Sequence, residues 1–277
     1  MITLDLNGRV AVVTGAGRGI GQALALKLAE AGAAVAINDL EQQATAETVD
    51  AITSAGGRAL ACPGDVTAPE FPATLIRRTV ETFAGLDIVV NNAGYTWDTV
   101  IQKTTDAQFQ AMLDIHLTAP FRILRAASEF IRPAAKAEAT QGERRMRKVV
   151  NITSIAGTDG NAGQIGYSSG KAGVIGMTRT MAKEWGRYNV NVNCVGFGLI
   201  ETRLIQPVGA EGASIEIKGE RIGVGVQQRF LDAIKAECPL GRLGTPEEAA
   251  NAVLFFCSPL SDYVTGEVLI CSGGLHF

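Results

Sequence analysis

The feature that most restricts the fold of this chain is a regular alternation of short β-branched runs with helix-length segments. Arg9 to Thr14, Ala34 to Asn38, Arg58 to Ala61, Asp87 to Val90, Lys148 to Ile152, Asn189 to Val195 and Glu267 to Cys271 read as strands. Their hydrophobicity is nearly continuous, as expected of strands covered on both faces, and the segments between them carry the helical periodicity that crossovers between parallel strands require. The pattern predicts a doubly wound α/β fold with a parallel sheet and helices on both faces. No Pro/Gly/Ser-rich linker and no internal repeat interrupts it, so residues 1–277 are expected to form one domain.

Two stretches break the alternation. Pro133 to Lys148 is hydrophilic and reads as a solvent-facing helix extension, with Arg144, Arg145, Arg147 and Lys148 as either a solvated face or a basic docking surface. Arg203 to Leu240 is too long for a plain strand-to-helix connection and is a candidate substrate lid. Within it, Ser214–Ile217 and Arg221–Val224 flank Lys218-Gly219-Glu220 as a hairpin, followed by a helix from Gln227 to Ala236.

Composition narrows the function classes. Lys and Arg number 25 against 28 Asp and Glu, which supplies no broad basic field for a nucleic acid or an anionic membrane. Five scattered cysteines, none in a C-x-x-C pair, suit a reducing compartment better than a disulfide framework. With His116 and His276 as the two histidines, no cluster has zinc-ligand spacing, and no metal is expected. Met1 to Arg9 lacks the basic start and apolar stretch of a signal peptide, and the apolar runs fall far short of the roughly 20 residues that cross a bilayer. A cytoplasmic location is expected.

After the first strand comes Thr14-Gly15-Ala16-Gly17-Arg18-Gly19-Ile20-Gly21, leading into an Ala/Leu-rich helix. Glycines permit a tight turn and close backbone approach, and unpaired amides at a helix N-terminus attract a phosphate. The spacing is not G-x-G-x-x-G, and tight strand-to-helix packing alone also explains such glycines. Asp39 ends the second strand, where a carboxylate can accept both hydroxyls of an adenosine ribose or simply make a turn. Asp65-Val66 follows the third strand and Asn91-Asn92-Ala93-Gly94 the fourth. Gly15, Asp39, Asp65, Asn92, Ser154 and Gly198 thus gather at the C-terminal ends of successive strands, the edge along which open α/β sheets bind ligands. That concentration favours a nucleotide site over unrelated turn residues.

Tyr167-Ser168-Ser169-Gly170-Lys171 opens a predicted helix, and i, i+4 spacing puts Tyr167 and Lys171 on one face. A phenol has a pKa of about 10, and a neighbouring cation is expected to lower it towards a working acid/base. Ser154, in Asn151-Ile152-Thr153-Ser154, can hold a substrate oxygen beside Tyr167 or cap a helix. A hydrolase is disfavoured, because no Gly-x-Ser-x-Gly elbow surrounds Ser154.

From about Gly8 to Gly274 these motifs resemble the short-chain dehydrogenase/reductase family. Pro239-Leu240-Gly241-Arg242-Leu243-Gly244-Thr245-Pro246-Glu247-Glu248 and Tyr263-Val264-Thr265-Gly266 look like its 3-oxoacyl-[acyl-carrier-protein] reductase branch. The resemblance implies a Rossmann-like, seven-stranded parallel sheet, a homotetramer, and a dinucleotide on Gly15, Arg18, Gly19, Ile20 and Gly21, with Asp39, Asp65, Val66, Asn92, Gly94, Ile200 and Thr202 as further contacts. It assigns carbonyl positioning to Ser154, acid/base catalysis to Tyr167, and nicotinamide-ribose binding with lowering of the tyrosine pKa to Lys171. Two positions depart from it: His116 stands where the family usually has a water-holding Asn, and Phe197 where it usually has Pro. His116 is read either as a proton-relay substitute or as a core histidine, and Phe197 as a ring that reshapes the nicotinamide pocket.

The expected activity is NAD(P)-dependent interconversion of a ketone and a secondary alcohol, with a small molecule or an acyl thioester as substrate and an acyl carrier protein as a candidate partner. Asp39 favours NAD(H), because a carboxylate repels the 2'-phosphate of NADP(H), while Arg18 leaves NADP(H) open. The rivals are a dehydrogenase of a small alcohol, sugar or steroid, and a non-catalytic dinucleotide sensor. The sensor has no need of Ser154, Tyr167 and Lys171 together.

Overall fold

The structure, a computed structural model, describes residues 4–202, 205, 213–217, 220–224 and 228–276. In chain order the first half comprises β1 (Val10–Val13), α1 (Gly19–Glu30), β2 (Ala34–Ile37), α2 (Gln42–Ser54), β3 (Arg58–Ala61), α3 (Phe71–Phe83), β4 (Ile88–Asn91) and α4 (Asp106–Leu113). A π-turn at Asp114–Thr118 leads into α5 (Ala119–Thr140), β5 (Arg147–Ser154), α6 (Ile155–Thr158), α7 (Ile165–Trp185) and β6 (Val190–Phe197). Then come β7 (Ala213–Ile217), β8 (Glu220–Val224), α8 (Gln228–Glu237), α9 (Pro246–Cys257) and β9 (Val268–Cys271).

Seven strands form one parallel sheet in the order β3-β2-β1-β4-β5-β6-β9, the expected Rossmann-like arrangement. Adjacent strand residues point to opposite faces, so two-sided burial needs apolar residues at every position. Val13, Val35, Val90 and Val150 pack against Leu24 and Leu28 of α1 and Val253 and Phe256 of α9. Val12, Val89, Val149 and Val192 face the other layer, against Ile123 and Leu124 of α5 and Trp185 of α7. The chain order reverses between β1 and β4, which opens the ligand crevice at their C-terminal ends.

The basic run departs from its expected form. Helix α5 ends at Thr140, followed by a turn with Gly142 at φ +74°, and Arg147 and Lys148 already belong to β5. Arg145 grips the buried Asp87 carboxylate with its Nε and Nη2, Arg147 pairs with Glu138 at 2.6 Å, and Lys148 pairs with Asp262 at 2.7 Å. Of the four basic residues, Arg144 is exposed, Arg145 partly so, and Arg147 and Lys148 are buried. Arg145, Arg147 and Lys148 are thus held in ion pairs that close the N-terminal edge of the sheet, and Arg144 is the part of the run that faces solvent. Along β5 that edge lies roughly 23 Å from Ser154, at about 3.3 Å per residue.

Phe197 also differs from expectation. It is the last residue of β6, in register with Cys271 of β9, and its ring is buried in the core layer under α1 and α9. The predicted hairpin is present as the antiparallel pair β7–β8, and the helix after it as α8; Lys218 and Gly219 of its turn lie outside the described residues. Most of the stretch 203–212 lies outside them as well.

Candidate active site

At the β1/β4 crevice, Gly15 and Gly19 have φ of +62° and +56°, the left-handed region that glycine enters without steric cost. A Cβ on Gly21 would stand 2.2 Å from the Gly15 carbonyl oxygen, and one on Gly15 would stand 2.7 Å from Ala93 Cα. The turn thus brings its backbone against the rim with no side chain in the way. Helix α1 starts at Gly19 with no side-chain cap, so its first amides are directed at the crevice unpaired, a fit for a pyrophosphate. Asn92 locks the turn from across the switch point, its Nδ2 donating to the Thr14 and Gly15 carbonyls at 2.9 and 3.0 Å. The Thr14 hydroxyl accepts from the Asn92 and Ala93 amides at 3.0 Å each. Asn92 and Thr14 are braces of the cradle; Thr14 was not anticipated from sequence, where its one signal is its place just before Gly15.

Asp39 stands two residues beyond β2 and faces the same turn: one carboxylate oxygen accepts from the Gly17 amide at 3.0 Å and the other from the Glu41 amide at 3.2 Å. Each oxygen keeps acceptor capacity for a ribose hydroxyl. Arg18 is paired with Glu41 at 3.0 Å. That hydrogen bond and charge, with Glu47 and Asp39 adding to them, raise the guanidinium's already high pKa. Asp65 accepts from the Thr67 amide and hydroxyl at 2.8 and 2.7 Å and shapes the turn after β3, with Val66 buried beside it. Ile200 is buried and bridges Gly244, while Thr202 Cγ2 lies 3.6 Å from where a Gly19 side chain would begin.

Ser154 ends β5 and caps the short α6, its Oγ accepting from the Ala156 amide at 3.2 Å. An occupied acceptor site leaves the hydroxyl proton available for donation. Both sequence readings of Ser154, cap and oxygen holder, are compatible in one rotamer. Tyr167 and Lys171 lie on the first turns of α7, with the Lys171 ammonium 5.6 Å from the Tyr167 ring centroid. The ammonium donates to the Ile152 carbonyl at 2.9 Å, and Thr153 ties the Lys171 carbonyl to β5 at 2.7 Å.

The electrostatics reverse one expectation. Burial pushes the Tyr167 phenol up to about 12; the Ser154 hydroxyl works against this and Asp98 adds to it. Burial also pushes Lys171 down to about 8. The Lys171 ammonium, 5.6 Å from the ring centroid, is itself poorly solvated, and desolvation outweighs its attraction for a phenolate.

His116 lies on the π-turn, buried, with Nε2 2.8 Å from the Tyr95 carbonyl oxygen and its ring perpendicular to that of Tyr167 at 4.9 Å between centroids. Burial, then the charge of Lys171, drives its pKa well below the usual imidazole value. Gly94 is the matched gap: a Cβ there would stand 2.5 Å from His116 Cε1. Ser154, Tyr167, Lys171 and His116 are therefore brought together. Asp98, joined to Gln164 by a 2.7 Å hydrogen bond, completes the rim and gives no sign of itself in the sequence. Among the described residues, no three His, Cys, Asp or Glu side chains gather as metal ligands, and no helix is long and apolar enough to cross a membrane.

A family model described as enoyl-(acyl carrier protein) reductase matches residues 15–276. The 3-oxoacyl-[acyl-carrier-protein] reductase of Vibrio cholerae is 37% identical over 273 residues, 99% of each chain. The chain belongs to the short-chain dehydrogenase/reductase family. The (2S)-[(R)-hydroxy(phenyl)methyl]succinyl-CoA dehydrogenase subunit of Thauera aromatica is 34% identical over 98% of each chain. The crystal structure of a short-chain type dehydrogenase/reductase from Mycobacterium marinum superposes with a TM-score of 0.84 at 28% identity, over 98% of this chain and 97% of that one. As a member of this family the chain is an NAD(P)-dependent oxidoreductase that interconverts a ketone and a secondary alcohol.

Proposed function

We propose that this enzyme reduces a 3-oxoacyl thioester with NADH, using Tyr167 as the proton donor and Ser154 as the holder of the carbonyl oxygen. The observation that carries this reading is the convergence of Ser154, Tyr167 and Lys171 beside the glycine cradle. The Gly15–Gly21 turn and the α1 N-terminus would hold the pyrophosphate, Asp39 the adenosine ribose, Asp65 and Val66 the adenine side, and Ile200 and Thr202 the nicotinamide half. A bound nicotinamide supplies the hydride that the carbonyl carbon receives. Ser154 would donate a hydrogen bond from its hydroxyl to the carbonyl oxygen and orient it. Tyr167 then delivers its proton to the oxygen as negative charge builds there. A phenol held up to about 12 keeps that proton through neutral pH.

The cofactor choice rests on Asp39 and Glu41. A 2'-phosphate would enter beside Arg18, which is already paired with Glu41. The thioester rests on the relatives, one named for an acyl carrier protein and one for an acyl-CoA. We place the substrate beneath the 203–240 stretch as a lid, in one catalytic domain that assembles as a cytoplasmic homotetramer. The test is kcat/KM with NADH and NADPH on a 3-oxoacyl thioester and on cyclic, sugar and steroid ketones. NADH and the thioester are expected to lead. A strong NADPH preference that survives Asp39→Ala refutes the cofactor reading, and a steroid or sugar preference refutes the thioester.

A further inference from the structure

His116 is the buried polar group at the site for which the acid/base pair has no evident need, and its surroundings define what it can do. The Tyr95 carbonyl can only accept, so the 2.8 Å contact fixes the proton on Nε2. Nδ1 is then a lone-pair acceptor, buried and without a partner among the described residues. The ring is confined on several sides. Gly94 and Gly170 leave the space it fills, with Cβ atoms there falling 2.5 Å from His116 Cε1 and 2.9 Å from His116 Cβ, and the Tyr167 ring stands perpendicular to it. The π-turn, which inserts an extra residue into the helix, carries the imidazole into this gap between α7 and the loop after β4. The groups facing it are Lys171 and Tyr167 of α7 and the Tyr95 backbone; Asp114 belongs to its own turn.

We propose that His116 is a positioning residue: the Nε2–H bond to the Tyr95 carbonyl ties the loop after β4 to the imidazole, and the imidazole holds the Tyr167 ring at the angle that presents its hydroxyl to Ser154. The proposal rests on Tyr167 as the proton donor. It assigns the work to Nε2 and to the ring face, in contrast to a relay, which would run through Nδ1. Burial and Lys171 keep the ring neutral, so it contributes orientation and no proton of its own.

Two amides separate the positions of the two nitrogens. Glutamine places its amide nitrogen about where imidazole Nε2 lies, whereas asparagine reaches only the Nδ1 position. With thermal stability and dinucleotide affinity measured for each, His116→Gln is expected to keep kcat within about threefold and His116→Asn to lose it by about tenfold or more, at little change in cofactor Kd. His116→Asn at full activity with His116→Gln impaired would move the role to Nδ1 and overturn the proposal. Equal kcat in all three proteins, or equal losses in both variants, would overturn it as well. Tyr167→Phe run alongside keeps the two readings apart: if its turnover is intact, the proton-donor reading has failed, whatever the 116 series shows.

Discussion

Two lysines, both nearly absent from the surface, show how differently the two edges of the sheet are built. Lys148 is 4% exposed at the N-terminal edge and Lys171 5% exposed at the C-terminal edge. Lys148 donates to Asn191 Oδ1, Ser261 Oγ and the Asp262 carboxylate. Among the described residues Lys171 donates to one carbonyl, that of Ile152. Burial lowers the pKa of both, but Asp262 offsets part of this at Lys148, while Lys171 falls to about 8. A buried cation with a full set of partners is scaffolding. One left with a single neutral acceptor beside a phenol retains a strong field that chemistry can use. Asp87 repeats the lesson: burial alone would raise its carboxyl, yet Arg145, the Val10 amide and Arg9 together hold it below the usual carboxylate range.

Replacing each lysine by methionine sharpens this contrast. Lys171→Met should lower kcat by about 10²-fold or more while folding stability near pH 7 holds or rises, since a poorly solvated charge is removed. Lys148→Met should do the reverse: about 1–3 kcal/mol of stability lost, because Asn191 and Ser261 lose their donor, with kcat per folded molecule unchanged. Chemical denaturation and steady-state kinetics on the two variants decide it, and matching phenotypes would erase the distinction between the edges.

A smaller effect comes from pH. The folded pKa of Lys171, about 8, lies below its unfolded value of about 10.4, so the unfolded chain binds the extra proton between them. The Lys171 contribution to stability therefore rises with pH across that window, by at most about 1.4 kcal/mol per unit. The buried thiols of Cys194 and Cys257, pushed up to about 12, act in the opposite direction over the same range. The measurable quantity is thus the difference between the native protein and Lys171→Met, which should move in favour of the native protein from pH 8 to 10. A difference independent of pH would mean that Lys171 is ordinarily solvated.

The contrast also explains what the sequence disclosed. Apolar continuity in runs such as Val10–Val13 and Val149–Val150 follows from two-sided burial, so the strands were legible, and β5 and β6 were merely longer than expected. The Gly15–Gly21 turn and the Tyr167/Lys171 spacing are local and were equally readable. Ion pairs join residues far apart in the chain, as with Arg145 and Asp87, so a run of bases could not be distinguished from a solvated face. The π-turn that carries His116 inward has no local signature. The sign of the Tyr167 shift depends on how deeply α7 packs, which periodicity does not encode.

The most direct measurement is turnover and dinucleotide binding in Tyr167→Phe, which keeps the ring against His116 and removes the transferable proton. Cofactor Kd should stay within about threefold while kcat falls by about 10²- to 10⁴-fold, the usual worth of a general acid. Near-native turnover in this variant would show that the proton comes from elsewhere and that the grouping of Ser154, Tyr167 and Lys171 is not the catalytic one.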